Sequence, residues 1–209
     1  MTETFEEHLD LVEKVLGTLA KHNVKIKVSK CKFFESNVKF LGHEISTEGI
    51  RKSDEYSKKV KEFPKPSTVT ELRKFLGLVN FQRKFIPNCS QTMKCLSELT
   101  GAPKRTKIKW TEERDRAFDK LKEDMEKEIL LTYPDYSPEA ARLELYVDAS
   151  GIGAGSCLMQ KQDGIHKVIG YGSMAFSRTQ QGYSTIEREL VAILSVSYTH
   201  LTLPTKRIV

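Results

Sequence analysis

At 209 residues the chain has room for one large domain or two to three small ones. Charged residues make up 30% and hydrophobics 39%, an ordinary balance for a folded, somewhat polar protein, and no apolar run approaches the roughly 20 residues that cross a bilayer. The formal charge of +6 is uneven: positions 83–109 hold Arg83, Lys84, Lys94, Lys104, Arg105, Lys107 and Lys109 against Glu98 alone, which suits either a phosphate-bearing partner or a solvated face.

Thr4 with Glu7 makes a capping box, and Phe5, Leu9, Val12, Leu16 and Leu19 recur at helical spacing, so residues 5–21 are predicted as an amphipathic helix broken at Asn23. Val24, Ile26 and Val28 alternate with Lys25 and Lys27, the pattern of a strand with one wet face; Lys30 and Lys32 extend the basic side. A second extended run, Val38-Lys39-Phe40-Leu41-Gly42-His43-Glu44-Ile45, ends at Thr47-Glu48-Gly49, and a short charged helix is expected between Ser53 and Phe63. Pro64 and Pro66 mark a boundary. Beyond it Thr68 and Glu71 cap a helix expected to run to about Lys84, a shorter one lies near 90–100, and Thr111 caps another bearing Ala117, Phe118, Leu121 and Met125. From Tyr133-Pro134-Asp135 the pattern turns to β, with strands at 143–148, 155–160 and 166–173, the last two joined by the hairpin signal Asp163-Gly164. Ser184 and Glu187 cap a final helix.

The four cysteines, Cys31, Cys89, Cys95 and Cys157, show neither CxxC pairing nor a nearby histidine cluster. They are read as reduced thiols of a cytosolic or nuclear protein, with Cys157 packed inward from its strand. His8, His22 and His166 are isolated and are given structural roles. The acidic start Thr2-Glu3-Thr4-Phe5-Glu6-Glu7 is no signal peptide. Near the other end, Val196-Ser197-Tyr198-Thr199-His200-Leu201-Thr202-Leu203-Pro204-Thr205 abandons helical spacing and resembles the translation of a transposase-type sequencing adapter, so residues 196–209 are expected to be a foreign tail.

Two stretches carry chemistry. In the helix after Thr68, Arg73, Gly77 and Phe81 fall at i, i+4 and i+8 on one face. A cation, a gap and an aromatic in a row fit a nucleic-acid groove; a mid-helix glycine, which costs about 1 kcal/mol relative to alanine, taken alone fits helix–helix packing better. In the β region, Leu143-Glu144-Leu145-Tyr146-Val147-Asp148-Ala149-Ser150 ends an alternating run on an acid before Gly153 and Gly155, and Glu187-Arg188-Glu189-Leu190 follows on a capped helix. That order suits a nuclease holding divalent metal at a sheet edge. Helical geometry does not separate Glu187 from Glu189, but Glu187 already has a capping role.

Phe40-Leu41-Gly42-His43-Glu44-Ile45, Phe75-Leu76-Gly77-Leu78-Val79-Asn80-Phe81 with Arg83, Phe85-Ile86-Pro87-Asn88, Trp110-Thr111-Glu112-Glu113, Tyr133-Pro134-Asp135 and Asp148-Ala149-Ser150 resemble, in order, the pol polyprotein of gypsy-type LTR retrotransposons from Phe5 to Leu194. The resemblance implies an α/β chain: an α+β palm remnant at 1–63, a helical thumb at 64–103, a connection at 104–142 and the opening β-β-β-α of an RNase H-like domain at 143–195. It implies RNA-directed DNA polymerisation and degradation of RNA in RNA–DNA hybrids, with template–primer duplex and the rest of the polyprotein as partners, no membrane, and an intracellular, cytoplasmic or nuclear particle as the location. Phe40, Leu41, Gly42 and His43 match the primer grip, and Arg73, Gly77 and Phe81 the thumb helix that follows the minor groove. Asp148 matches the aspartate that bridges two Mg²⁺ ions, and Glu189-Leu190-Val191-Ala192-Ile193 matches the retroviral Glu-Leu-x-Ala-Ile pattern, which selects Glu189 as the second metal ligand. The family's Tyr-x-Asp-Asp polymerase motif has no counterpart, since no Asp-Asp pair occurs, and the two further RNase H aspartates are also missing; weak metal binding and at most vestigial hydrolysis are expected.

Overall fold

The computed structural model describes residues 4–31, 33 and 35–196, so Lys32 and the expected foreign tail from 197 onward lie outside the described residues. The chain divides into two compact units, 1–36 and 37–209, and mixes helix with two three-stranded antiparallel sheets. Among the described residues no helix is long and apolar enough to cross a membrane.

In the first unit, α1 (Phe5–Lys21) starts where the Thr4 hydroxyl accepts the Glu7 backbone N–H at 3.2 Å and stops before Asn23, whose φ of +54° is left-handed. The strand expected at 24–28 does not form; those residues are irregular and lead into a 3₁₀ turn at Val28–Lys30. Alternation alone cannot make a strand, because its backbone N–H and C=O groups need a neighbouring strand to pair with.

The second unit opens with β1 (Val38–Phe40), β2 (His43–Ile45) and β3 (Ile50–Lys52), paired in that order. The run read as one extended segment is thus a hairpin, with Leu41-Gly42 as its turn. Helix α2 (Asp54–Lys61) follows, then α3 (Val69–Phe81), whose capping box is complete: the Thr68 hydroxyl accepts from Glu71 N at 3.3 Å, and the Glu71 carboxylate accepts from Thr68 N at 3.4 Å. Helix α3 ends at Phe81, short of Lys84, and a 3₁₀ turn (Arg83–Phe85) leads to α4 (Cys89–Ser97) and later to α5 (Glu112–Glu126). These helices share one core around Val60, Leu72, Phe75, Val79, Leu96, Phe118, Leu121 and Met125, so the 104–142 segment packs into the same interior as 64–103. Trp110 closes it, edge-on to Phe118 with its indole N–H donating to the Pro66 carbonyl at 2.8 Å.

The second sheet is β4 (Leu143–Ala149), β5 (Gly153–Gln162) and β6 (Ile165–Ala175), followed by α6 (Arg178–Gln181) and α7 (Thr185–Val196). Asp163 and Gly164, at φ +54° and +79°, form the β5–β6 turn that their sequence predicts. Val147, Ala149, Ala154 and Met174 pack with Phe176, Val191 and Ala192 beneath α7. Alternation sends Tyr146, Asp148, Gly155, Cys157 and Ser173 to the other face, so Cys157 lies half-buried away from the α7 core.

Residues 131–141 tie the two sheets together. Ile50 and Leu131 exchange backbone hydrogen bonds of 2.8 and 2.9 Å, while Thr132 N donates to Val168 O at 2.7 Å. The buried Gln160 amide donates to Asp135 O and Ala141 O, both at 2.7 Å, and accepts from Asp135 N at 2.7 Å. Every polar atom of that side chain is thereby satisfied, which is what lets it sit in the interior.

Candidate nucleic-acid interface and nuclease site

The first site is a cleft between the β1–β2 turn and α3. Leu41 and Gly42 both have positive φ, +47° and +74°, as a two-residue hairpin turn requires. Glycine is needed at 42 for a second reason: an added Cβ would come within 3.0 Å of the Tyr56 ring. The Gly42 carbonyl accepts from Ser53 N and from Gln82 Nε2, each at 3.0 Å, and so locks the turn onto the end of α3. Locking holds Leu41 in a conformation costly for a leucine and leaves its side chain exposed.

Phe81 lies flat on His43, centroids 5.5 Å apart and planes within 4°, with Tyr56 tilted beside it at 5.6 Å. Burial, and then the charge of Lys84, lowers the His43 pKa, which favours the neutral ring against Phe81. Gly77 faces open space, with nothing within 4 Å of an added Cβ. Helix–helix packing therefore does not explain it. Leu41, Gly42, Ser53, Tyr56, Gly77 and Phe81 line a cleft of about 550 Å³, and Phe40, Leu41 and Phe81 present exposed apolar surface around it. Arg73 departs from the expected row: its guanidinium donates to the carbonyls of Thr100 and of Ala102, the latter at 3.3 Å. Those acceptors bind the end of a neighbouring turn and draw the charge aside.

The second site is the end of β4. Asp148 is exposed on the sheet face opposite α7 and pairs in register with Gly155. Glu189 reaches from α7 to the adjacent residue, its Oε1 accepting from Ala149 N at 3.3 Å. Glu187 is occupied by the helix cap, accepting from Ser184 N at 2.8 Å while its own N–H donates to Ser184 Oγ at 3.3 Å; the hydrogen bonds that its carboxylate receives from the Ser184 backbone and side chain hold it below the usual range. Of the two glutamates, Glu189 is the one brought to the strand end. Alternation nevertheless directs Asp148 away from the face that α7 covers. Among the described residues no group of three His, Cys, Asp or Glu side chains is arranged to hold a metal ion. Asp148 and Glu189 alone fall short of the ligand set that two divalent cations need, and no hydrolytic step follows from them.

A family model described as the RNase H-like domain found in reverse transcriptase matches residues 110–202. The Tf2-3 and Tf2-4 transposon polyproteins of Schizosaccharomyces pombe are each 36% identical over 189 residues, covering 90% of this chain and 14% of the relative; the chain spans about a seventh of their length. Among solved structures, the foamy viral protease–reverse transcriptase in complex with an RNA/DNA hybrid is 28% identical with a TM-score of 0.77, over 96% of this chain and 27% of that one. Its dRH form in complex with double-stranded DNA is 29% identical with a TM-score of 0.78, over 96% and 35%.

Proposed function

The chain belongs to the pol polyproteins of LTR retrotransposons, in their reverse transcriptase and RNase H region, and from that premise we propose that its own activity is to grip a template–primer or RNA–DNA hybrid duplex at the cleft beside Gly77. The observation that carries this reading is the pairing of a bare, open glycine on α3 with exposed Phe40, Leu41 and Phe81. Buried contacts consume most apolar groups, and a helix interior disfavours glycine, so an exposed apolar rim around a missing side chain marks a place where something else comes close. A duplex backbone fits: it needs close approach at one point, apolar contact with sugar edges, and a basic residue nearby, which Lys59, paired with Glu55 in the cleft lining, supplies. Phe40, Leu41, Gly42 and His43 hold the primer strand, Gly77 and Phe81 follow the groove, and Arg73 acts through the fold of the thumb.

RNA-directed DNA polymerisation and RNA cleavage in hybrids are assigned to the parent polyprotein, in an intracellular particle. Asp148 and Glu189 belong to the Mg²⁺-dependent nuclease site, and on this chain they bind metal weakly. The divisions at 63, 103, 142 and 195 and the foreign origin of the tail belong to the same proposal. The test is binding of a fluorescent RNA–DNA hybrid to the full chain at rising salt. Affinity should fall steeply with salt, since phosphate contacts release counterions, and by about tenfold in Phe81→Ala, or 1.4 kcal/mol. Any Mg²⁺-dependent cleavage should vanish in Asp148→Asn with binding retained. Salt-insensitive binding that Phe81→Ala leaves unchanged overturns the cleft assignment.

A further inference from the structure

Helix α3 ends on a donor borrowed from another helix. A continued α-helix would give the Gln82 N–H to the Leu78 carbonyl, four residues back; that N–H instead meets Val79 O at 3.0 Å. The Leu78 carbonyl thereby loses its helical donor, and the Tyr56 hydroxyl of α2 supplies one at 2.8 Å. The ring that carries this hydroxyl is held on both sides. It lies 5.6 Å from the Phe81 ring, tilted at 33°, and an added Cβ on Gly42 would come within 3.0 Å of its Cδ2. At the backbone, Tyr56 N donates to Ser53 O at 3.0 Å, and Ser53 N donates to Gly42 O at 3.0 Å. Tyr56 therefore joins the three walls of the cleft: α2, the β1–β2 turn and the end of α3.

Gln82 is the residue that the shortened helix releases. Its side chain is fully buried, with Nε2 donating to Gly42 O at 3.0 Å. Its Oε1 is buried as well and finds no hydrogen-bond partner among the described residues. A half-satisfied buried amide is costly, and an apolar side chain of similar size would avoid that cost. What distinguishes the amide is its bond to the β1–β2 turn. The contacts thus form a relay in which Tyr56 takes over the Leu78 carbonyl, Gln82 leaves the helical ladder, and its amide turns to Gly42. Without the hydroxyl, one more residue of helix would satisfy Leu78 O with Gln82 N and draw Gln82 away from the turn.

We propose that Tyr56 is a positioning residue of the duplex cleft: its hydroxyl sets where α3 ends, and through Gln82 that end fixes the β1–β2 turn against which a primer strand is held. This rests on the duplex-binding reading above. Tyr56 acts on the nucleic acid through Gln82 and Gly42, by the geometry it enforces.

The test compares the full chain with Tyr56→Phe and with Tyr56→p-aminophenylalanine, which removes the oxygen but restores a donor at the same place. Each is bound to a fluorescent RNA–DNA hybrid with a recessed primer end, and exchange of the Ser53 backbone amide is followed by NMR. Tyr56→Phe should weaken hybrid binding about fivefold and speed Ser53 exchange about tenfold. The amine should restore both to within about twofold of the unaltered chain, whereas a ring that only fills space predicts equal values for the two variants. Gln82→Met keeps the buried volume and removes the unpaired oxygen together with the donor to Gly42. It should also weaken binding about fivefold, and Tyr56→Phe combined with Gln82→Met should bind no more weakly than either alone. Should Tyr56→Phe fail to fold, Gln82→Met decides by itself. Unchanged affinity in either single variant, no recovery with the amine, or losses that add in the double variant overturn the relay alone. Absence of hybrid binding in the unaltered chain overturns the duplex-binding reading, and the positioning role with it.

Discussion

A Cβ added at Gly77 meets nothing, yet glycine inside a helix costs about 1 kcal/mol relative to alanine. The two facts together separate fold from function at one position. Gly77→Ala should raise unfolding stability by about 0.5–1 kcal/mol in urea titration, because it relieves the backbone entropy cost and strikes no neighbour. Gly77→Leu should keep the fold and weaken duplex binding about tenfold by filling the cleft. Destabilisation by the alanine would mean that the site is closed. Arg73 teaches the opposite lesson. Its place on the α3 row follows from spacing, but its guanidinium answers to carbonyls 27 and 29 residues downstream, which no local pattern announces.

Helix α5 depends on a residue of another element. Lys52, on β3, donates from its buried ammonium to the last carbonyls of α5, at 3.3 Å to Asp124 O and 2.9 Å to Met125 O. A cation suits that end of a helix, but burial still lowers the Lys52 pKa to about 8, with Asp124 offsetting part of the effect. Burial pushes the Asp124 carboxylate up, but the hydrogen bonds and charges of Lys127 and Lys120 together hold it below its ordinary value. Between pH 8 and about 10 the unfolded chain keeps the Lys52 proton that the folded chain releases, so this group's contribution to stability rises with pH across that window. Measured as the difference in unfolding free energy between the unaltered chain and Lys52→Met, it should grow by on the order of 1–3 kcal/mol from pH 8 to 10. A flat difference would show that the ammonium is solvated. Element boundaries elsewhere followed their local signals: the caps at Thr68, Thr111 and Ser184 start the helices they predict. The Ser177–Gln180 capping box before α6 carries the same signal, while the lone alternation at 24–28 forms no strand because pairing is not a local property.

Across the whole second unit, the helices are continuous in their packing. Phe75 of α3 meets Phe118 of α5 at 4.6 Å, and Trp110, the single tryptophan, stacks edge-on against Phe118. Phe75→Ala should therefore cost about 3–5 kcal/mol and shift Trp110 fluorescence and hydrogen exchange of α3 amides together, as one transition. Separate midpoints for the two probes would show that 64–103 and 104–142 unfold as independent bodies. The reverse transcriptase and RNase H character, legible from ordered motifs, agrees with the fold similarity to the foamy viral enzyme.

Read alone, the amino-acid order determined the helix starts, the Asp163-Gly164 turn, the three strands of the second sheet and the family, because caps, turns and periodicity are written within a few neighbouring residues. It also singled out Leu41, Gly42, Gly77 and Phe81 of the cleft, and Asp148 with Glu189. Only the tertiary structure decided that Gly77 is open, that Arg73 is diverted, that the Glu189 carboxylate binds the Ala149 N–H, and that Gly155 is bare to admit Asn88. The last three depend on partners 27 to 67 residues away and the first on no element packing over Gly77, and contacts at that range are set by how elements pack, not by how each one forms.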